Sequence, residues 1–312
     1  MPRLIKAAAA QMGPIARSES RRQVVDRLIA LMREAHGKDV RLMVYPEMAL
    51  TTFFPRWYMT DQAEIDGFFE TEMPGPETRR LFETAAALGI GFYLGYCEKT
   101  IERGGVHRHN TSILVDPAGK ILGKYRKVHL PGHAEHEPQR PWQHLEKRYF
   151  EIGDLGFPVW RLMGGIMGMC ICNDRRWPET YRVMGLQGVE IVMLGYNTPA
   201  ENGVAPEGAR LRMFHNHLTM QAGAYQNGTY VIGTAKGGVE EGVPMLAGSC
   251  IVNPSGEIVA LAETEGDELV IADLDLDLCQ FNKKTVFNFA AHRRIEHYGP
   301  ITAQTAAVPP PE

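Results

Sequence analysis

Two stretches of this chain, ILVDPAGKIL at 113–122 and CIVNPSGEIV at 250–259, can be laid on each other. Each passes from apolar residues through an Asx-Pro-x-Gly turn to a charged residue and an isoleucine, the pattern of a β-hairpin. The residues ahead of each hairpin also correspond. In the first half, Leu4–Gln11 reads as a strand. A capping box at Ser20–Gln23 then opens a helix whose apolar face is Val24, Val25, Leu28, Ile29, Leu31 and Met32. RLMVYPE is a short strand, Pro76 and Gly89 bracket a second helix, and IGFYLGYCE is a further strand. In the second half, strands surround Gly164-Gly165, PETYRVMGLQG is a helix and VEIVMLGYN a strand. Ala209–Gln226 is a helix, TYVIGTAK a strand, and ELVIADLDL closes the pattern. Alternating strands and helices specify an α/β fold. Two matching halves, each a mixed sheet with helices on one face, give helix, sheet, sheet, helix layers. Periodicity alone also admits a three-layer doubly wound sheet.

Composition narrows the function. The 312 residues carry a net charge of −4 with both signs dispersed, so there is no basic stripe for nucleic acid. No apolar run reaches transmembrane length, and the N-terminus reads as a first strand rather than a signal peptide. Five cysteines, an odd number without dense spacing, indicate a reduced, cytoplasmic protein.

The chemistry concentrates in GMCICNDRRWPET, 168–180. Cys172 falls where a strand ends and a tight turn begins, the position at which open α/β sheets present ligands and nucleophiles. Cys170 shares its face but lies deeper and reads as packing. Both cysteines as small buried hydrophobes is the bland alternative. A metal site lacks a second thiolate pair, and His129, His133 and His136 come without a compact ligand set. His215 and His217 fall on different faces of a helix. A thiol nucleophile needs a base and charge stabilisation. Glu47, ending the VYPE strand, is expected to occupy in the first half the position Cys172 occupies in the second. Lys127, in GKYRKVHLP, ends a hairpin strand and can stabilise an oxyanion.

With VYPE, KYRK and CNDRRWPE in this order, each at a strand end, the chain resembles the nitrilase superfamily of carbon–nitrogen hydrolases. That resemblance implies a four-layer αββα sandwich of two pseudo-equivalent halves and a Glu47, Lys127, Cys172 triad. The resemblance runs from Ala8 to about Tyr298, so one domain is expected over 1–304, and the Pro-rich composition of 305–312 reads as a loose tail. Longer motifs, among them KYRKVHLPGH, QHLEKRYFE, GYNTP, MQAGAYQNG and FNFAAHR, resemble the D-carbamoylases, which hydrolyse N-carbamoyl-D-amino acids. By that resemblance Glu146 is a second active-site glutamate and His129 and His144 brace the site. Arg175 and Arg176 are implied to clamp the substrate carboxylate, a two-pronged pairing that guanidinium geometry favours. Asn197 and Thr198 are placed to line the pocket, and Asn173 to contribute a backbone N–H. A small-molecule substrate, no cofactor or metal, no membrane and a homodimer or homotetramer are the accompanying expectations. The stretch from Pro199 to Phe214 departs from the D-carbamoylase pattern, which leaves the preferred side chain open.

Overall fold

The computed structural model describes residues 2–102, 104–140, 142–201 and 207–311. Residues 202–206, inside the departing stretch, lie outside the described residues. The first sheet takes β1 (Leu4–Gln11), β2 (Leu42–Val44), β3 (Gly91–Glu102), β4 (Gly105–Val115) and β5 (Ile121–Arg126). The second takes β6 (Val159–Leu162), β7 (Gly165–Ile171), β8 (Ile191–Tyr196) and β9 (Tyr230–Ala235). A ribbon of β10 (Val239–Glu240) and β11 (Val243–Pro244) follows. Then β12 (Cys250–Val252) and β13 (Ile258–Leu261) complete the second sheet, while β14 (Glu268–Asp275) returns to the first.

The strand orders are β14-β1-β2-β3-β4-β5 and β13-β12-β9-β8-β7-β6. Read backwards, the second repeats the first. Each has a parallel trio, β1-β2-β3 or β7-β8-β9, with antiparallel strands outside it. The hairpins that suggested the repeat, β4–β5 and β12–β13, occupy matching places. Their turns close alike: Asp116 Oδ1 accepts from the N–H groups of Ala118 and Lys120, and Asn253 Oδ1 from those of Ser255 and Glu257. The correspondence corrects one expectation. Glu47 follows β2, the middle strand of its trio, whereas Cys172 follows β7, the first of its own. The counterpart of Glu47 is Asn197, just after β8.

Burial explains the layers. Along β1, Ala7 and Ala9 enter a core shared with Tyr93, Met167, Met169 and Leu194 of both sheets. Ala8 and Ala10 pack instead with Val24, Val25, Leu28 and Phe82 of the covering helices. A strand buried on both faces reads as one apolar run, and side chains of alternate parity serve the two layers. Helices Arg21–His36 and Arg79–Leu88 cover the first sheet, and Pro178–Leu186 and Ala209–Asn227 the second. The expected capping box is present, with Ser20 and Gln23 exchanging side-chain-to-backbone hydrogen bonds. The second helix begins at Arg79, later than Pro76, because Thr78 Oγ1 closes a local turn onto the Gly75 N–H.

The backbone at Pro46-Glu47 is tightly enclosed by two glycines. A Cβ at Gly195 of β8 would lie 2.6 Å from the Pro46 carbonyl carbon and nearer still to the Glu47 nitrogen. One at Gly95 of β3 would lie 2.6 Å from the Pro46 oxygen. Both neighbours are backbone and cannot swing aside. Gly195→Ala is therefore expected to destabilise the fold by about 3 kcal/mol, the upper range for overpacking, and to displace Glu47. Chemical denaturation and turnover measured together check this, and an alanine variant of unchanged stability would refute the close approach.

Candidate active site

Glu47, Lys127 and Glu146 form a fully buried ionic chain. Lys127 directly follows β5, and its Nζ donates to Glu47 Oε1 at 2.8 Å and to Glu146 Oε2 at 2.6 Å. Asn110 Nδ2, from β4, donates to Glu47 Oε1 at 2.7 Å and reaches Glu146 Oε2 at 3.5 Å. Asn197 closes the other side. Its N–H donates to Glu47 Oε2 and its Nδ2 to the Glu47 carbonyl, both at 2.8 Å. His144 Nε2 lies 2.9 Å from Glu146 Oε1, and Phe53 sets its ring edge-on to the imidazole at 5.2 Å.

Burial works to neutralise Lys127 and Glu146, and both charges are held by their neighbours. For Lys127, desolvation lowers the pKa but the Glu146 and Glu47 carboxylates outweigh it, so the ammonium is held well above its usual range. For Glu146, burial acts upward, and Lys127 and His144 bring the carboxyl below its usual range.

Cys172 ends β7 with a left-handed backbone, φ 48°. A non-glycine residue in that region needs support from its surroundings. Arg175 Nη1 donates to the Cys172 carbonyl at 2.6 Å and Nη2 to Thr198 Oγ1 at 3.1 Å, while the guanidinium lies 4.7 Å over the Tyr196 ring. Asp174, completely buried, accepts from the Ile171 N–H, the Tyr125 hydroxyl and the His129 N–H, and meets His129 Nδ1 at 2.8 Å. Asn173 Nδ2 donates to the His129 carbonyl. The elbow is thus tied on both sides.

The Cys172 thiol is pushed up by burial and by the Glu47 charge, against which Lys127 and Arg175 pull down. Its Sγ lies 3.9 Å from Thr198 Oγ1. Cys172 opens on a cavity of about 280 Å³ whose wall includes His144, Asn173, Arg176, Thr198 and Arg212. A larger cavity of about 590 Å³, between helix Pro178–Leu186 and residues 286–302, contains none of the ionic chain.

The geometry sorts the expected residues. Glu47, Lys127, Glu146 and His144 form one connected cluster. Cys172, Asn173, Arg176 and Thr198 border the cavity, where Arg176 is solvent-exposed. Arg175 lies behind the cysteine, 2% exposed, and Asn197 is engaged with Glu47. His129 is hydrogen-bonded to Asp174. Cys170 is packed between the sheets, its carbonyl accepting from Tyr93. His133 and His136 go to separate partners, the Glu135 carbonyl and the Tyr58 ring, and His215 and His217 to Glu207 and the Gly248 carbonyl. Among the described residues no group of three or more His, Cys, Asp or Glu is placed to hold a metal ion. Asn110, Asp174 and Arg212 escaped the sequence reading. Asp174 sits inside the CNDRRWPE motif, and Asn110 is a polar residue at a buried strand position, so each left a local signal.

The carbon–nitrogen hydrolase family profile matches residues 6–284. The chain belongs to this family. A nitrilase of Pyrococcus abyssi is 28% identical over 296 residues, covering 95% of this chain and 99% of that protein. An N-carbamoylputrescine amidase of Arabidopsis thaliana is 28% identical over 267 residues, covering 82% of each. The crystal structure of a carbon–nitrogen hydrolase from Helicobacter pylori G27 superposes with a TM-score of 0.82 at 23% identity, over 97% of this chain and 99% of that one. The αββα sandwich of this carbon–nitrogen hydrolase is the expected fold. Among the described residues no helix is long and apolar enough to cross a membrane.

The electrostatics of the thiol make a test. Glu47→Gln removes an anion that disfavours the thiolate. The pH profile of Cys172 alkylation by iodoacetamide is then expected to move to lower pH, even as turnover is lost. A profile that stays in place, or moves to higher pH, would separate Glu47 from the cysteine.

Proposed function

We propose that this carbon–nitrogen hydrolase cleaves N-carbamoyl-D-amino acids to the D-amino acid, carbon dioxide and ammonia. The observation that carries the reading is Arg176. Its guanidinium borders the Cys172 cavity and, among the described residues, has no hydrogen-bond or ion-pair partner. A fixed cation beside a nucleophile suits a substrate that bears a carboxylate near the scissile bond. A neutral amide or nitrile gives it nothing to bind. The name of the Arabidopsis relative points to ureido chemistry, but the amine end of N-carbamoylputrescine would meet like charge here. The D configuration rests on the motif resemblance.

The reaction uses protein groups. Glu47 takes the proton of the Cys172 thiol as sulfur attacks the ureido carbon. The carbonyl electron pair moves to oxygen, where the Lys127 ammonium and the Asn173 N–H stabilise it. The tetrahedral species collapses, one C–N bond breaks, and the proton held by Glu47 goes to the departing nitrogen. A thiocarbamate, with the carbonyl still bonded to the remaining nitrogen, stays on Cys172. Water, deprotonated by Glu47, attacks its carbonyl carbon, the C–S bond breaks and the thiol recovers a proton. The resulting carbamic acid loses carbon dioxide. Glu146 keeps Lys127 charged and in place, so Glu47 is free to exchange its proton.

Amino-acid release from N-carbamoyl-D-alanine and its L enantiomer, beside ammonia release from acetamide, tests the assignment. Release is expected from the D ureido acid, with Cys172→Ala reducing it to background and Arg176→Gln raising KM about tenfold or more. Equal use of acetamide, or normal turnover by Cys172→Ala, would overturn it.

A further inference from the structure

The wall of the Cys172 cavity is more basic than one substrate carboxylate requires. Three guanidinia, Arg140, Arg176 and Arg212, border it. Arg140 is paired with Glu137 and Arg212 with Glu207, but neither glutamate is among the described residues lining the cavity. The described lining residues thus include three arginines and no carboxylate. The charge of Arg212 is near enough to bear on Arg176. Among the described lining residues there is no leucine, isoleucine, valine, methionine, phenylalanine, tyrosine or tryptophan, and Pro131 and Pro199 supply the apolar surface. At about 280 Å³ the space is also at the small end of small-molecule sites.

We propose that the site takes an N-carbamoyl amino acid whose side chain carries a second acidic group: Arg176 holds the α-carboxylate, and Arg212, supported by Arg140, holds the side-chain acid. This rests on the ureido-acid reading above and adds the side chain to it. A bulky apolar side chain would strip water from three guanidinia and return no contact for it, which is unfavourable. A carboxylate returns charge-assisted hydrogen bonds. Arg212 is prepared for the task. It is 8% exposed, in the first turn of helix Ala209–Asn227, and its Nε donates to the Pro199 carbonyl at 2.9 Å and its Nη1 to Glu207 Oε2 at 3.0 Å. Two fixed nitrogens set the plane of the fork before substrate arrives, so little side-chain freedom remains to be lost on binding. Glu207 is itself shared with His215, at 2.6 Å, so its charge is divided between two donors rather than committed to Arg212 alone.

N-carbamoyl-D-aspartate, the near-isosteric N-carbamoyl-D-asparagine and N-carbamoyl-D-phenylalanine form the test set, with steady-state kcat and KM as the readout. Aspartate is expected to exceed asparagine in kcat/KM by about tenfold or more, with phenylalanine weaker than both. Arg212→Gln should raise KM for the aspartate substrate about tenfold and leave the asparagine KM within about twofold, with kcat for asparagine kept. Arg212→Lys, which retains the charge but not the fork, should recover part of the loss. Equal use of aspartate and asparagine overturns the proposal. So does an Arg212→Gln variant that impairs both alike, since that marks a purely structural residue. If no N-carbamoyl amino acid is hydrolysed while simple amides are, the reaction assignment fails first and this inference with it.

Discussion

The interaction on which the rest of the structure depends is a single ammonium, Lys127, buried completely between two carboxylates. Removing three charges from water is costly, and the attraction between them offsets that cost only if every remaining lone pair and proton is also satisfied. Asn110 and the Asn197 backbone do so for Glu47, and His144 for Glu146. These partners come from β4, the residue after β8 and the loop before Glu146, so the cluster ties the two sheets together. Gly195, from the second sheet, and Gly95, from the neighbouring strand of the first, leave room for it, since any side chain there would collide with the backbone that carries Glu47.

A second constraint sits across the cavity. Cys172 departs from β7 in a left-handed conformation, and the five residues from 172 to 176 form a tight turn. Side chains of that same turn hold it: Arg175 binds the Cys172 carbonyl, and Asp174 gathers donors from β7, Tyr125 and His129. Arg175 and Arg176 are adjacent in sequence yet do different work. One is spent on the elbow, and the next points outward to the cavity. The segment opposite is supported by a second buried ionic group. Glu240 accepts from the Phe53 N–H and from Arg56 and Lys236, and Phe53 in turn packs on His144.

Much of this was legible in the sequence because it is periodic or local. The twin Asx-Pro-x-Gly hairpins fixed the halves, since a turn of that type depends on a few neighbouring residues. Glu47, Lys127 and Cys172 stood out because each ends a strand with an otherwise apolar or hairpin pattern. What was not legible is pairing between distant segments. Nothing local shows that Arg175 reaches Thr198, that Asn110 bridges two carboxylates, or that Arg212 turns into the cavity, because such contacts depend on how the two sheets are stacked. The placement of Glu47 opposite Cys172 in the repeat was misjudged for the same reason: strand order is not contained in strand sequence.

The corrected correspondence has a physical meaning. Glu47 and Asn197 occupy equivalent places after β2 and β8, and they hydrogen-bond to each other across the approximate symmetry of the two halves. Two glutamates there would bring like charges together beside a third at Glu146. Asparagine at one of the two positions keeps a donor for the carboxylate and adds no charge. One half then presents a carboxylate group, and the other supplies the amide that orients it. In the proposed reaction, where Glu47 takes the thiol proton, that departure from symmetry matters, because a carboxylate held in a fully symmetric pair would share a proton with its twin instead.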